Sequence, residues 1–157
     1  MRRLTFGGNN RFPIWAADAQ RIAFQSDREK DLGIFWQRAD TSGSAERLTK
    51  PDEGTSHVPE AWSPVGDRFL YTVTKGSSAT LWTFSLQEKK SARFDAVESS
   101  NPIGSVFSPD GHWVAYYSNE SNEAGRSTVY VQPFPPTGAK YQISKNDAAN
   151  AGARHPI

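Results

Sequence analysis

The chain has 157 residues, with 18 Lys and Arg against 17 Asp and Glu, so its formal net charge is +1. That length suits about one domain, and a charge near zero argues against a nucleic-acid protein held by phosphate neutralisation. The lack of cysteine excludes disulfides, thiol nucleophiles and Cys-based zinc sites, and three histidines leave little for a histidine-rich metal centre. We therefore expect no metal, no cofactor and no nucleic-acid partner.

The first ten residues do not have the pattern of a signal peptide. Residues 1–3 are basic, but residues 4–10 lack the apolar stretch that a leader needs. No run approaches the length of about 18 apolar residues that marks a transmembrane helix. The sequence therefore predicts neither a leader nor a membrane span.

Three segments share one pattern, in which a strand with an aromatic residue is followed by a turn and an apolar strand. The aromatic anchors are Trp15, Trp62 and Phe107, with spacings of 47 and 45 residues. The turn is clearest at residues 108–111, Ser-Pro-Asp-Gly, where proline presets φ and glycine accepts a left-handed conformation. In the first segment the turn has become Ala-Ala-Asp-Ala at residues 16–19, so we expect it to be the least well set.

Each unit continues with two more predicted strands. The third strands are residues 34–36, 81–84 and 129–131, and the fourth strands are residues 46–49, 91–94 and 140–144. Four short strands in a period of about 45 residues are typical of propeller blades. The predicted fold is therefore all-β, built from propeller blades of four antiparallel strands.

The repeat divides the chain into three predicted blades and two partial ones. Residues 1–9 are predicted as the outer strand of a preceding blade, because Arg3-Leu4-Thr5 repeats Arg47-Leu48-Thr49. Residues 149–157 are predicted to begin a further blade, since His155-Pro156-Ile157 resembles Phe12-Pro13-Ile14. The three full blades are residues 10–52, 53–99 and 100–148. We interpret the chain as a fragment of a longer propeller.

The turns, the sequence Ser26-Asp27-Arg28 and the Arg-Leu-Thr fourth strands resemble TolB-type, WD-repeat-like propeller repeats. Residues 130–144 are similar to the propeller that follows many bacterial serine/threonine kinase domains, although this sequence has no kinase motifs. The resemblance implies a binding platform, often of six blades and periplasmic or extracytoplasmic in its better-known members. It transfers no catalytic residue.

Glu60 is the most distinctive candidate site residue. It falls on a predicted innermost strand, where a carboxylate would face water or a ligand in the central channel. Two copies of Glu60 facing each other across a ring could serve hydrolysis, as paired carboxylates do in glycosidases, and His57 lies just upstream. The simpler interpretation is structural, with Glu60 bonded to water or a neighbouring backbone. The surrounding residues 54–58 lack the final glycine of a nucleophile elbow.

The other residues predicted at the channel mouth belong to the loops that enter each blade: Arg11, Asn101, Arg154 and His155. Aromatic residues recur at strand positions, where their expected use is packing between adjacent blades: Trp15, Trp36, Trp62, Trp82, Phe107 and Trp113. A sugar-stacking role would require exposed rings.

Three blades do not close a ring, since closed propellers have about four to eight. We therefore expect self-association, with two copies forming a six-bladed homodimer. In such a ring, the outer-strand segments 2–6 and 140–144 would compete for one place at each junction.

The predicted function is a non-enzymatic module that binds a protein, a peptide or another ligand at the channel mouth. The alternative is a hydrolase acting on glycosides or esters at the channel, with Glu60 and His57 as candidates. A truncated gene product without an independent role is a third interpretation. The fold alone does not choose among them, because propellers host many functions.

Overall fold

A computed structural model describes residue 5 and residues 7–100, 103–120 and 126–143. These residues form three four-stranded antiparallel sheets, and the strands of each sheet lie side by side in chain order. Sheet 1 contains β1 (Asn10–Trp15), β2 (Arg21–Ser26), β3 (Gly33–Arg38) and β4 (Glu46–Arg47). Sheet 2 contains β5 (Thr55–Trp62), β6 (Arg68–Lys75), β7 (Ser78–Ser85) and β8 (Lys90–Ser99). Sheet 3 contains β9 (Ser105–Phe107), β10 (Trp113–Ser118), β11 (Thr128–Pro133) and β12 (Tyr141–Gln142).

This architecture confirms the predicted all-β fold of four-stranded antiparallel blades. The predicted partial strands at the two ends of the chain lie outside the described residues, apart from Thr5 and residues 7–9, which are not in a strand. β8 is longer than the strand predicted at residues 91–94. Its pairing with β7 is interrupted after Arg93 and resumes at Glu98.

Sheet 2 is buried on both faces, and this follows from the alternation of side chains along its strands. Phe69 and Tyr71 of β6 pack toward sheet 1, whereas Leu70 between them packs toward sheet 3. We call the contact between sheets 1 and 2 the first seam, and the contact between sheets 2 and 3 the second seam. Full burial of a side chain such as Leu70 contributes about 1.5–3 kcal/mol, so the two seams hold the sheets together.

The turn between the first two strands is preserved in all three sheets. Gly66 and Gly111 have φ values of +75° and +74° and donate their backbone N–H groups to Ser63 and Ser108, respectively. Ala19 holds the same position in sheet 1 with φ of +52°, and its N–H donates to the Ala16 carbonyl at 3.0 Å. The first turn therefore keeps its shape, but it places an alanine in the left-handed region, which an L-residue with a Cβ disfavours.

The predicted packing role of the aromatic residues holds for those in the seams. Trp36 and Trp62 stack across the first seam, with ring centroids 6.0 Å apart, and Trp82 packs on the same core. By contrast, Trp15 is 59% exposed and Trp113 is 39% exposed. These two residues lie on the sheet faces that no described sheet covers.

The described residues contain no helix that is long and apolar enough to cross a membrane.

Candidate functional site

Glu60 lies at a β-bulge near the end of β5. The β5–β6 register pairs Pro59 with Tyr71 and Ala61 with Leu70, so Glu60 is an extra residue without a direct partner. A bulge of this kind re-aims a side chain. Here Glu60 is turned toward sheet 3, and its carboxyl group contacts that sheet.

The carboxyl group of Glu60 joins two sheets. One oxygen accepts a hydrogen bond from the Thr72 hydroxyl of β6, and the other accepts one from the Ser105 hydroxyl of β9 in sheet 3. Thr72 Oγ1 also lies 3.4 Å from the carbonyl oxygen of Ile103. Thr72, Ser105 and Ile103 are all buried. Glu60 therefore acts as a polar tie across the second seam.

The environment of Glu60 favours its neutral form. The residue keeps some accessible surface, but protein atoms surround the carboxyl group, and burial raises the pKa of Glu60 to about 7. The hydrogen bonds from Ser105 and Thr72 lower this pKa, and their effect is smaller than that of burial. No Lys or Arg side chain forms an ion pair with Glu60 among the described residues.

His57 is buried in the first seam and is bonded to sheet 1. Its Nδ1 lies 2.9 Å from Thr49 Oγ1, and its backbone N–H donates to the Leu32 carbonyl at 2.9 Å. Its own carbonyl accepts a bond of 2.8 Å from Gln25 Nε2. Burial lowers the pKa of His57 to about 4, although the nearby Asp52 and Asp31 carboxylates raise it. His57 is therefore a neutral packing residue whose ring also contacts Tyr71.

The structure does not bring Glu60 and His57 together. They are three residues apart on an extended strand, so their side chains leave opposite faces of the sheet. Glu60 meets Ser105 in the second seam, whereas His57 meets Thr49 in the first. Ser56, the serine of the near-miss elbow sequence, shares a 2.5 Å hydrogen bond with Thr74 within an ordinary strand. Glu60, His57 and Ser56 therefore do not form one joint site.

Of the other predicted channel-mouth residues, only Arg11 is described. It lies exposed on β1. Hydrogen bonds from Asn9 lower the pKa of Asp27, and the charge of Arg11 adds a smaller effect in the same direction. Asn101, Arg154 and His155 lie outside the described residues. A channel mouth that includes all of the predicted residues is therefore not defined by the structure.

The structure also reveals side-chain hydrogen bonds near the start of the first strand of each sheet. In sheet 1, Asp27 accepts two 2.7 Å bonds from the backbone and side chain of Asn9. In sheet 3, Asn119 Oδ1 accepts 2.9 Å bonds from Ser99 and from the backbone of Ser100. Asp27, Thr74 and Asn119 occupy one repeat position, 12 residues after the aromatic anchors. Sequence reasoning noted Asp27 as part of a motif but missed this shared structural role.

Trp36, a half-buried residue of β3, is not free for stacking on a sugar. Trp36 has the Arg21 guanidinium 4.2 Å above its ring, and it also stacks on Trp62. Its Nε1 donates to Glu46 at 3.1 Å. Two depressions of about 410 and 240 Å³ adjoin it, and neither is lined by Glu60 or His57. Nor do three or more acidic or histidine side chains converge as metal ligands anywhere in the described part of the chain.

The arrangement of successive four-stranded sheets defines a β-propeller segment, and comparisons with known proteins support this class. No family model matches the chain. It is 30% identical over 99 residues to the uncharacterized peptidase YuxL of Bacillus subtilis (strain 168). That match covers 63% of this chain and 14% of the relative.

Solved structures give the same fold. The chain is similar to TolB from Acinetobacter baumannii, with a TM-score of 0.75 and 23% identity over 92% of this chain and 34% of that one. It is also similar to a putative TolB from Agrobacterium tumefaciens, with a TM-score of 0.71 and 17% identity over 89% of this chain and 49% of that one. A prolyl endopeptidase matches with a TM-score of 0.66 and 14% identity over 87% of this chain and 22% of that one. The chain thus has a TolB-like β-propeller fold and a distant sequence similarity to a peptidase.

Proposed function

We infer that the chain is a non-enzymatic propeller module that serves as a binding scaffold for a protein or peptide. The observation that carries this proposal is that polar side chains on the first strand of sheet 2 are hydrogen-bonded to the neighbouring sheets. Glu60, the most distinctive of them, is engaged by the Thr72 and Ser105 hydroxyls and ties sheet 2 to sheet 3. His57 ties sheet 2 to sheet 1 in the same way. Groups held like this stabilise a platform, because both oxygens of the Glu60 carboxyl group and Nδ1 of His57 already have partners within the chain.

The wider context of the module is a separate question with two candidates. The similarity to the B. subtilis peptidase favours a propeller that accompanies a catalytic domain, and the matched stretch is a small share of that relative. The resemblance of residues 130–144 to the propeller after bacterial serine/threonine kinases favours a kinase as the neighbour. The DNA on either side of this reading frame distinguishes the two.

A substrate screen tests the non-enzymatic proposal. The purified chain is incubated with panels of glycosides, esters and short peptides, alongside the variants Glu60→Gln and His57→Asn. We expect no turnover above buffer from any of the three proteins. Turnover by the natural chain that either substitution abolishes, while the variant remains folded by circular dichroism, would overturn the proposal in favour of a hydrolase.

A further inference from the structure

Each sheet has a leading face, turned toward the sheet before it, and a trailing face, turned toward the sheet after it. In sheet 2 the leading face carries Trp62, Phe69 and Tyr71, all buried in the first seam. The same repeat positions in sheet 3, each 45 residues later, also pack in a seam: Phe107, Val114 and Tyr116. The leading faces of sheets 2 and 3 are therefore built to one pattern.

The leading face of sheet 1 repeats this pattern, yet no described sheet covers it. Its residues are Trp15, Ile22 and Phe24, each 47 residues before the counterpart in sheet 2. Trp15 is 59% exposed, whereas its counterpart Trp62 is 8% exposed. Phe24 is only 3% exposed, with the Arg28 guanidinium 5.2 Å from its ring. The face thus has the composition of a seam surface, and its Trp15 end lies open among the described residues.

The trailing face of sheet 3 is the complementary surface. Val106 and Ala115 hold the repeat positions of Ala61 and Leu70, which pack in the second seam. Leu70 is fully buried there, but Val106 and Ala115 keep accessible surface, and Trp113 beside them is 39% exposed. Sheet 3 therefore ends in the kind of surface that sheets 1 and 2 use to receive the next sheet.

The strand-connecting turns follow the same order. A Cβ placed on Gly111 would lie 3.5 Å from Pro64 Cδ, an ordinary van der Waals contact, so the turns of successive sheets pack edge to edge. Ala19 in sheet 1 holds the position of Gly111, and Pro109 in sheet 3 holds the position of Pro64. Neither has a neighbouring turn from another described sheet, and both residues are exposed.

Cations on the leading faces do not prevent docking. Arg28 and Arg47 lie 4.9 and 5.5 Å from the ring of Phe35, a 1% exposed residue on the leading face of sheet 1. Lys140 lies 4.4 Å from the ring of Tyr130, the equivalent residue of sheet 3, where sheet 2 is already packed in the second seam. A cation over this aromatic position is therefore compatible with a covered face.

We propose that the leading face of sheet 1 docks on the trailing face of sheet 3 of a second copy, through two identical junctions that close a six-sheet ring. The inference rests on the proposed function as a propeller module and names the partner that completes it. The two faces that no described sheet covers repeat the two halves of the seams within the chain, so a second copy supplies the sheet that each face lacks. Six sheets lie within the range of about four to eight blades in closed propellers, and twofold closure is the commonest oligomer symmetry.

Sedimentation equilibrium of the full chain at 1–100 µM tests this proposal. We expect a mass of twice 17.4 kDa. The variants Trp15→Lys and Ala115→Lys, on the leading and trailing faces respectively, should each weaken dimerisation at least tenfold. Val65→Lys is the matched control, because Val65 is 82% exposed in a turn away from both faces. It should dimerise as the natural chain does.

Mixing the two weakened variants gives the sharper result. A mixed dimer has one junction of two natural faces, so the mixture should form a 1:1 dimer more tightly than either variant dimerises alone. A monomeric natural chain, open polymers, or a mixture that stays monomeric while circular dichroism shows both variants folded would overturn the proposal. Each of these outcomes would leave the non-enzymatic function untouched, since that depends on the substrate screen.

Discussion

Glu60 of sheet 2 accepts a hydrogen bond from Ser105 of sheet 3, and the two residues are 45 apart, at the same position of successive repeats. One repeat position thus provides the acceptor in one blade and the donor in the next. The contact links a residue that stands out in the sequence to one that does not. It also makes the second seam sensitive to the protonation of a single carboxyl group.

Glu60→Gln should remove a pH dependence of stability. Burial raises the pKa of Glu60 to about 7 from an ordinary value of 4.5, so between these values the native state holds a proton that the unfolded chain releases. The contribution of Glu60 to the unfolding free energy is therefore greatest below pH 4.5, falls as pH rises, and is smallest above pH 7. At pH 8 the variant should be more stable than the natural chain, by on the order of 1–3 kcal/mol.

Urea unfolding at pH 5 and pH 8 measures this effect. Glu53→Gln, at an exposed loop residue, is the matched control and should follow the natural chain at both values. If Glu60→Gln gave the same change in unfolding free energy at pH 5 and pH 8, burial of the carboxyl group would not be the cause.

His57 should produce the opposite pH dependence. Burial lowers its pKa to about 4 from 6.5, so the unfolded chain gains a proton before the native state does. Its stabilising contribution is full above pH 6.5 and is lost as pH falls toward 4. His57→Asn should be less stable than the natural chain at pH 7, by about 1–3 kcal/mol because ring packing is lost. The difference in unfolding free energy between the variant and the natural chain should become smaller at pH 5. Urea unfolding that gives the same difference at pH 5 and pH 7 would contradict this account.

Ala19→Gly should stabilise the first turn. Ala19 has φ of +52°, and a left-handed conformation costs an L-residue roughly 1–2 kcal/mol, part of which the larger unfolded-state entropy of glycine offsets. We expect a net gain of about 0.5 kcal/mol in chemical unfolding. The control is Ala17→Gly in the same turn, at a residue without positive φ, which should lose about 0.5–1 kcal/mol. A loss at both positions would show that strain at Ala19 is not relieved.

The repeat pattern allowed much of the fold to be predicted from the sequence, because alternating apolar residues and turn residues are local signals. The strands around Trp62 and Leu70, for example, follow from spacing alone. The direction of Glu60 could not be predicted, because it depends on a bulge and on the side chains of two other strands. Thr72 and Ser105 were missed for the same reason, since a hydroxyl on a strand carries no signal of its partner in the next sheet.

A double-mutant cycle between Glu60 and Ser105 tests most directly the claim that inner-strand polar groups hold neighbouring blades together. Unfolding free energies of the natural chain, Glu60→Ala, Ser105→Ala and the double variant are measured at pH 5, where Glu60 is protonated in the native state. The account predicts a coupling energy of about 0.5–3 kcal/mol, as for residues in one hydrogen-bond network. A coupling energy near zero, with all four proteins folded, would contradict it.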